Sequence, residues 1–116
     1  MKKYCAIYLG TQAGMEKWKK LDDATRKQRE QQGMKAWGDW ASKNQAAIVD
    51  QGSPLGKTKR ADASGIKDTR NDLAAWTIVQ AESHEAAARL FENHPHFTIF
   101  PGEAIEIMEC LPIPGQ

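Results

Sequence analysis

Leu73-Ala-Ala-Trp-Thr-Ile-Val-Gln-Ala81, followed by Glu82-Ser83-His84-Glu85, is the stretch whose reading decides the fold. Nine residues with β-branched and aromatic members, apolar at both parities, read as a strand covered on both faces. Trp76 shares a face with Ala74 and Ile78 and is expected to be buried. Ser83 then reads as a helix N-cap, with Glu85 in the first turn where the helix dipole favours an acid. Ala86, Ala87, Leu90 and Phe91 supply the apolar stripe of that helix, and Asn93 and Pro95 end it.

Working outward, Tyr4 to Leu9 is a second doubly apolar run, closed by Gly10, with Thr11 to Gly14 as a polar turn. Met15, Trp18, Leu21 and Ala24 recur at helical spacing. Glu16 with Lys20, Asp22 with Arg26 and Asp23 with Lys27 place an acid four residues before a base, worth only about 0.3 kcal/mol per pair. Gly33 costs about 1 kcal/mol against Ala inside a helix and predicts a kink or break there. Met34, Trp37, Trp40 and Ala41 form a second stripe that ends near Asn44. Ala46 to Asp50 reads as a short strand. Gly52-Ser53-Pro54-Leu55-Gly56 departs from strand character, because proline lacks a ladder donor. Lys57 to Asp72 is polar and reads as a hairpin arm or a mobile loop. Ala104 to Leu111 is the last strand, and Pro112 and Pro114 end the ordered chain.

The order β-α-β-β-α-β, with the first helical region doubled, is α+β: a ferredoxin-like split βαβ with a four-stranded antiparallel sheet. Two helices cover one face of such a sheet. Because two strands are apolar on both sides, the other face needs a cover, and a second copy of the chain is the simplest one. Residues 1–116 are read as a single domain. The charge is +1, from sixteen Lys and Arg against fifteen Asp and Glu. That balance argues against a dedicated nucleic-acid binder. No apolar run approaches the ~20 residues of a membrane span, and no signal peptide is legible, so a cytoplasmic protein is expected. Cys5 and Cys110 are too few for a disulfide framework and read as small buried hydrophobes.

The strand order, the element Gly52-Ser53-Pro54-Leu55 at the end of the second strand, and His94-Pro95 after the second helix together resemble the YCII-related family of the dimeric α/β-barrel superfamily. Against its shortest members, residues 15–32 read as a helical insertion and 57–72 as a polar arm. The resemblance implies back-to-back pairing of two copies and a pocket between sheet and helices. It also implies an acid–base pair, made by a His on the first helix and the Asp of an Asp-Pro element. This chain has no His before His84, and Trp37 or a neighbour stands at the first-helix position. His94 stands where the family has Asp.

His94-Pro95-His96 is the most suggestive local sequence. Pro95 biases His94 to an extended backbone, which would point both imidazoles the same way. His94 is the candidate general acid or base, with His96 beside it. The alternative is a pair of polar residues bonded to backbone on a connection. A zinc or iron site would need a third ligand, which no spacing selects among His84, Glu92 and Glu103. No metal and no cofactor is therefore expected. Trp37 and Trp40, three apart, are either core or the apolar wall for a flat organic ligand. The backbone around Gly52, Ser53, Pro54 and Leu55 would supply anchoring donors.

Between Lys57 and Arg70, Lys57, Lys59, Arg60, Lys67 and Arg70 stand against Asp62 and Asp68; a phosphate or acidic ligand could sit there, but a solvated arm is the plain reading. These residues together describe a homodimer that binds a small aromatic or keto molecule, with no nucleic-acid or membrane partner. The alternative is a cofactor-independent lyase, isomerase or dehydrochlorinase using His94. His94 is expected to line a concave pocket with Trp37 or Trp40, beside the Gly52–Leu55 turn, with a lowered pKa.

Overall fold

The strand read from Leu73 to Ala81 takes an inner position in the sheet, and its neighbours follow from it. The computed structural model of the chain describes residues 1–115. The elements are β1 (Lys2–Leu9), α1 (Gln12–Lys19), α2 (Asp23–Lys43), β2 (Ile48–Pro54), β3 (Thr58–Asp62), β4 (Gly65–Thr69), β5 (Leu73–Ala81), α3 (His84–Arg89), α4 (Pro95–Thr98) and β6 (Ala104–Glu109). The main sheet runs β2-β5-β1-β6, antiparallel throughout, which is the split βαβ order. β3 and β4 form a separate two-stranded ribbon, the arm.

Register fixes the faces. Tyr4, Ala6 and Tyr8 of β1 stand with Thr77 and Val79 of β5 and with Ile105 and Ile107 of β6. That face is buried under the helices: Tyr4, Ala6, Tyr8, Val79, Ala81, Ala87 and Phe91 form the core, with Trp37, Trp40 and Leu90 packed against it. The opposite parity carries Cys5, Ile7, Trp76, Ile78, Glu106 and Met108 on the uncovered face. There Trp76 is half-buried, short of the burial its sequence setting predicts, and Met108 is 42% exposed. Cys5 is likewise half-buried and Cys110 exposed, so the thiols are not core hydrophobes. The molecule is a slab 18 Å thick, with a radius of gyration of 16.2 Å against about 13 Å typical of this length.

Several elements differ from their sequence reading. Thr11 is a helix cap rather than part of a turn: its Oγ1 accepts from the Gly14 N–H at 3.0 Å. The helical region breaks at Lys20–Asp22, where Asp22 caps α2 through the Thr25 N–H, and not at Gly33. Gly33 lies inside α2 and is its one buried residue. A Cβ there would sit 2.5 Å from Phe100 ring atoms, so the helix gives up propensity for close packing. The sequence reading missed this because Phe100 is distant in the chain. β2 begins at Ile48, later than read, and runs through Gly52 and Pro54. It does so as an edge strand with two register shifts, which accommodates glycine and proline. Gly52, at φ +69°, lies against the Trp76 backbone and indole, leaving no room for a Cβ. β6 ends at Glu109, two residues before Leu111. Ser83 caps α3 as read, through the Ala86 N–H. Asn93, at φ 56°, turns the chain out of α3.

Candidate functional site

β1 delivers Tyr8 to the centre of the helix-covered face, and four aromatic side chains gather there around one imidazole. His94 is fully buried. Its ring lies 4.5 Å from Trp37, 4.6 Å from Trp40 and 5.4 Å from Tyr8, all at steep interplanar angles, and 6.0 Å from Phe91. α2 supplies both tryptophans because positions 37 and 40 share a helix face. Trp40 is fixed by its Nε1–H, which donates to the Leu90 carbonyl at 2.7 Å. Trp37 stacks on Tyr8 at 5.2 Å.

His94 is extended, as Pro95 predicts, but the chain after it turns helically and brings His96 back beside it. Pro95–Thr98 is a single helical turn, with Pro95 in its first positions and His94 as its cap. The His94 Nδ1 accepts the His96 N–H at 3.0 Å. A neutral imidazole that accepts at Nδ1 carries its proton on Nε2. That Nε2 is buried and has no hydrogen-bond partner among the described residues. His94 is therefore a neutral donor enclosed by aromatic rings. Burial, reinforced by the nearby His96, pushes its pKa down to about 4.

His96 is also buried, and its Nε2 donates to the Leu9 carbonyl at 2.8 Å. The same carbonyl accepts the Glu103 N–H at 2.8 Å, which ties α4 and the start of β6 to the end of β1. Desolvation lowers the His96 pKa, against the opposing pull of its backbone partners.

A second polar line runs from Tyr8. The Thr77 hydroxyl donates to the Gln51 carbonyl at 3.1 Å, so the Tyr8 phenol, 3.0 Å from Thr77 Oγ1, is the donor of that pair. Burial raises the Tyr8 pKa, partly offset by that hydrogen bond. Tyr8 is the member of the cluster that the sequence reading missed. Its phenol inside the apolar run Tyr4–Leu9, a hydroxyl that burial obliges to find a partner, was the only local signal.

His94, His96, Trp37 and Trp40 are thus brought together, while Gly52, Ser53, Pro54 and Leu55 are not part of the box. Gly52 and Ser53 lie beside Trp76, and the Leu55 N–H bonds the Ala74 carbonyl. The expected concave pocket at His94 is closed in this structure: the aromatic rings fill it. The open cavities lie elsewhere. A cleft of about 970 Å³ separates α1 from the base of the arm, lined by Thr11, Met15, Lys19, Lys57, Arg70 and Leu73 among others. Leu55 borders a smaller one beside it. Among the described residues, no three His, Cys, Asp or Glu side chains gather as a metal site, and no helix is long and apolar enough to cross a membrane.

No protein-family model matches the chain, and no curated protein matches it by sequence. Among solved structures, it is similar to the 5-chloro-2-hydroxyhydroquinone dehydrochlorinase of Burkholderia phenoliruptrix AC1100, determined in complex with 2,5-dihydroxybenzoquinone. The likeness covers 90% of this chain and 89% of that one, at a TM-score of 0.54 and 15% identity. The shared property is the fold: an α+β ferredoxin-like sheet with helices on one face, the fold of the dimeric α/β barrels.

Proposed function

We propose that this is a YCII-like, homodimeric protein that binds a small planar organic molecule bearing a carbonyl or phenolate oxygen, in the aromatic box around His94. The observation that carries this reading is the unpartnered Nε2–H of His94. A buried donor without an acceptor costs about 1–3 kcal/mol, and an N–H aimed at a ring face recovers only part of that. A ligand oxygen would restore the bond, and a flat ring would replace the face of an indole. Trp37 and Trp40 are only partly buried, so swinging one outward opens the box from the α2 side. The quinonoid compound held by the structural neighbour is of this class.

Dimerisation is supported by the thin slab, the small core and the apolar residues left on the uncovered sheet face. Two free thiols suit a reducing compartment, and we place the protein in the cytoplasm.

The second reading is a cofactor-independent lyase or dehydrochlorinase, favoured by the dehydrochlorinase activity of the same neighbour. A pKa near 4 makes His94 a weak base at neutral pH, so its role there would be a neutral donor to a developing oxyanion. Titration with 2,5-dihydroxybenzoquinone, followed by tryptophan fluorescence and thermal shift, tests the binding reading. Saturable quenching and stabilisation that are lost in His94→Asn support it. Equal responses in both proteins, or none at millimolar ligand, contradict it. Chloride release from a chlorinated hydroquinone decides for the enzyme.

A further inference from the structure

We propose that the arm Thr58–Thr69 docks on the outer edge strand β6 of a second copy of this chain, its Arg60 and Lys67 facing Glu103 and Glu106 of the partner subunit. The proposal extends the dimer of the functional reading by saying what holds it beyond the sheet face.

The first observation is that the arm has nothing to rest on. Neither of its strands packs extensively on any other element, and every residue from Lys59 to Arg70 is exposed. A lone two-stranded ribbon is at best marginal in water.

The second is a like-charge contact. Arg60 and Lys67 are direct cross-strand partners on one face of the ribbon. Opposed like charges destabilise a pair of strands. Arg60 has Asp62 at 2.9 Å, while Lys67 has no ion pair among the described residues. The other face holds the Lys59–Asp68 pair at 2.7 Å and, at the tip, Ala61 opposite Ile66, which is 76% exposed.

The third is the complement. β6 is an unpaired sheet edge, and residues 101–109 hold Glu103, Glu106 and Glu109 with no cation. Lys2 engages Glu109 at 3.2 Å, leaving Glu103 and Glu106 exposed without an ion pair among the described residues. Glu106 stands on the uncovered face with Met108, so it is open to a partner that approaches that face.

Three cations against two acids on the arm, Lys67 without an ion pair among the described residues, meet Glu103 and Glu106 on the edge. The arm leaves the sheet where β2 ends and β5 begins, and reaches about 17 Å along its five-residue strands. A two-fold axis makes the contact reciprocal: two arms and two β6 edges close on each other. A nucleic acid would also meet the cations, but the arm has no aromatic side chain for stacking.

Light scattering across a dilution series tests the proposal with Arg60→Glu/Lys67→Glu, Glu103→Lys/Glu106→Lys and the four changes together. Each reversal alone weakens the dimer by on the order of tenfold or more, and the combination restores it. On wild type, a zero-length carbodiimide applied to mixed light and heavy-isotope protein gives Lys67–Glu106 or Lys67–Glu103 links between chains of different mass. This second measurement stands even where a variant misfolds. A dimer indifferent to the arm reversal and free of such links overturns the arm contact while leaving the dimer. A wild type that stays monomeric at high concentration overturns both. Loss of duplex DNA binding by the arm variant, with unchanged oligomeric state, assigns the arm to a polyanion instead.

Discussion

Acidification is expected to loosen this fold because its central histidine resists protonation. His94 has a folded pKa of about 4, against 6.5 for the free side chain. The unfolded chain therefore takes up a proton at pH values where the folded chain does not. The stabilisation is complete above pH 6.5 and is lost progressively as the pH falls toward 4. Between pH 7.5 and pH 5 the linkage amounts to about 2 kcal/mol for this one group. His96, whose pKa is also lowered, adds in the same direction. Asp22 and Asp62 have lowered carboxylate pKa values and act only in more acid solution.

Urea unfolding at pH 7.5, 6.5, 5.5 and 5.0 measures the effect. His94→Asn keeps an acceptor at the cap of α4 but does not titrate. It will be less stable than wild type at pH 7.5, since the box is left underfilled. Its loss between pH 7.5 and 5 will be smaller than that of wild type by about 2 kcal/mol. A wild type with flat stability over this range, or a variant with an unchanged slope, would refute the burial argument.

The remaining expectations follow from single contacts. Tyr8→Phe removes the donor to Thr77 while leaving Thr77 its bond to Gln51, and should cost about 1 kcal/mol by urea midpoint; no change would mean the phenol is otherwise solvated. Gly52→Ala must both hold a left-handed backbone and displace the Trp76 carbonyl, so at least about 2 kcal/mol should be lost in thermal unfolding. Trp76→Glu puts a charge on the uncovered sheet face and should halve the mass seen by light scattering; an unchanged dimer would place the interface elsewhere.

Strands were legible wherever the local pattern decides them. Leu73–Ala81 could be read to the residue, and Ser83 as a cap, because run length, β-branching and capping chemistry are local. Gly33 was misread because its reason is Phe100, a neighbour only in space. β2 was set too early because its glycine and proline look like a stop, while an edge strand tolerates both through bulges. For the site, helical spacing paired Trp37 with Trp40, and the His94-Pro95-His96 sequence marked the turn. The depth of burial was not readable. Whether aromatic walls leave a pocket or close over it depends on how α2 seats on the sheet, and here the rings meet. Tyr8 stayed hidden inside an apolar run, since its partner Thr77 lies sixty-nine residues away.

The most direct measurement is the imidazole spectrum itself. With histidine labelled at Cε1, 2,5-dihydroxybenzoquinone is titrated into the protein while His94, assigned through His94→Asn, is followed beside His84, which lies outside the box stacked on Tyr4. The account predicts a saturable shift of the His94 signal, with the His84 signal unmoved. A His94 signal that stays fixed through saturating ligand, or shifts only where His84 shifts equally, would contradict it.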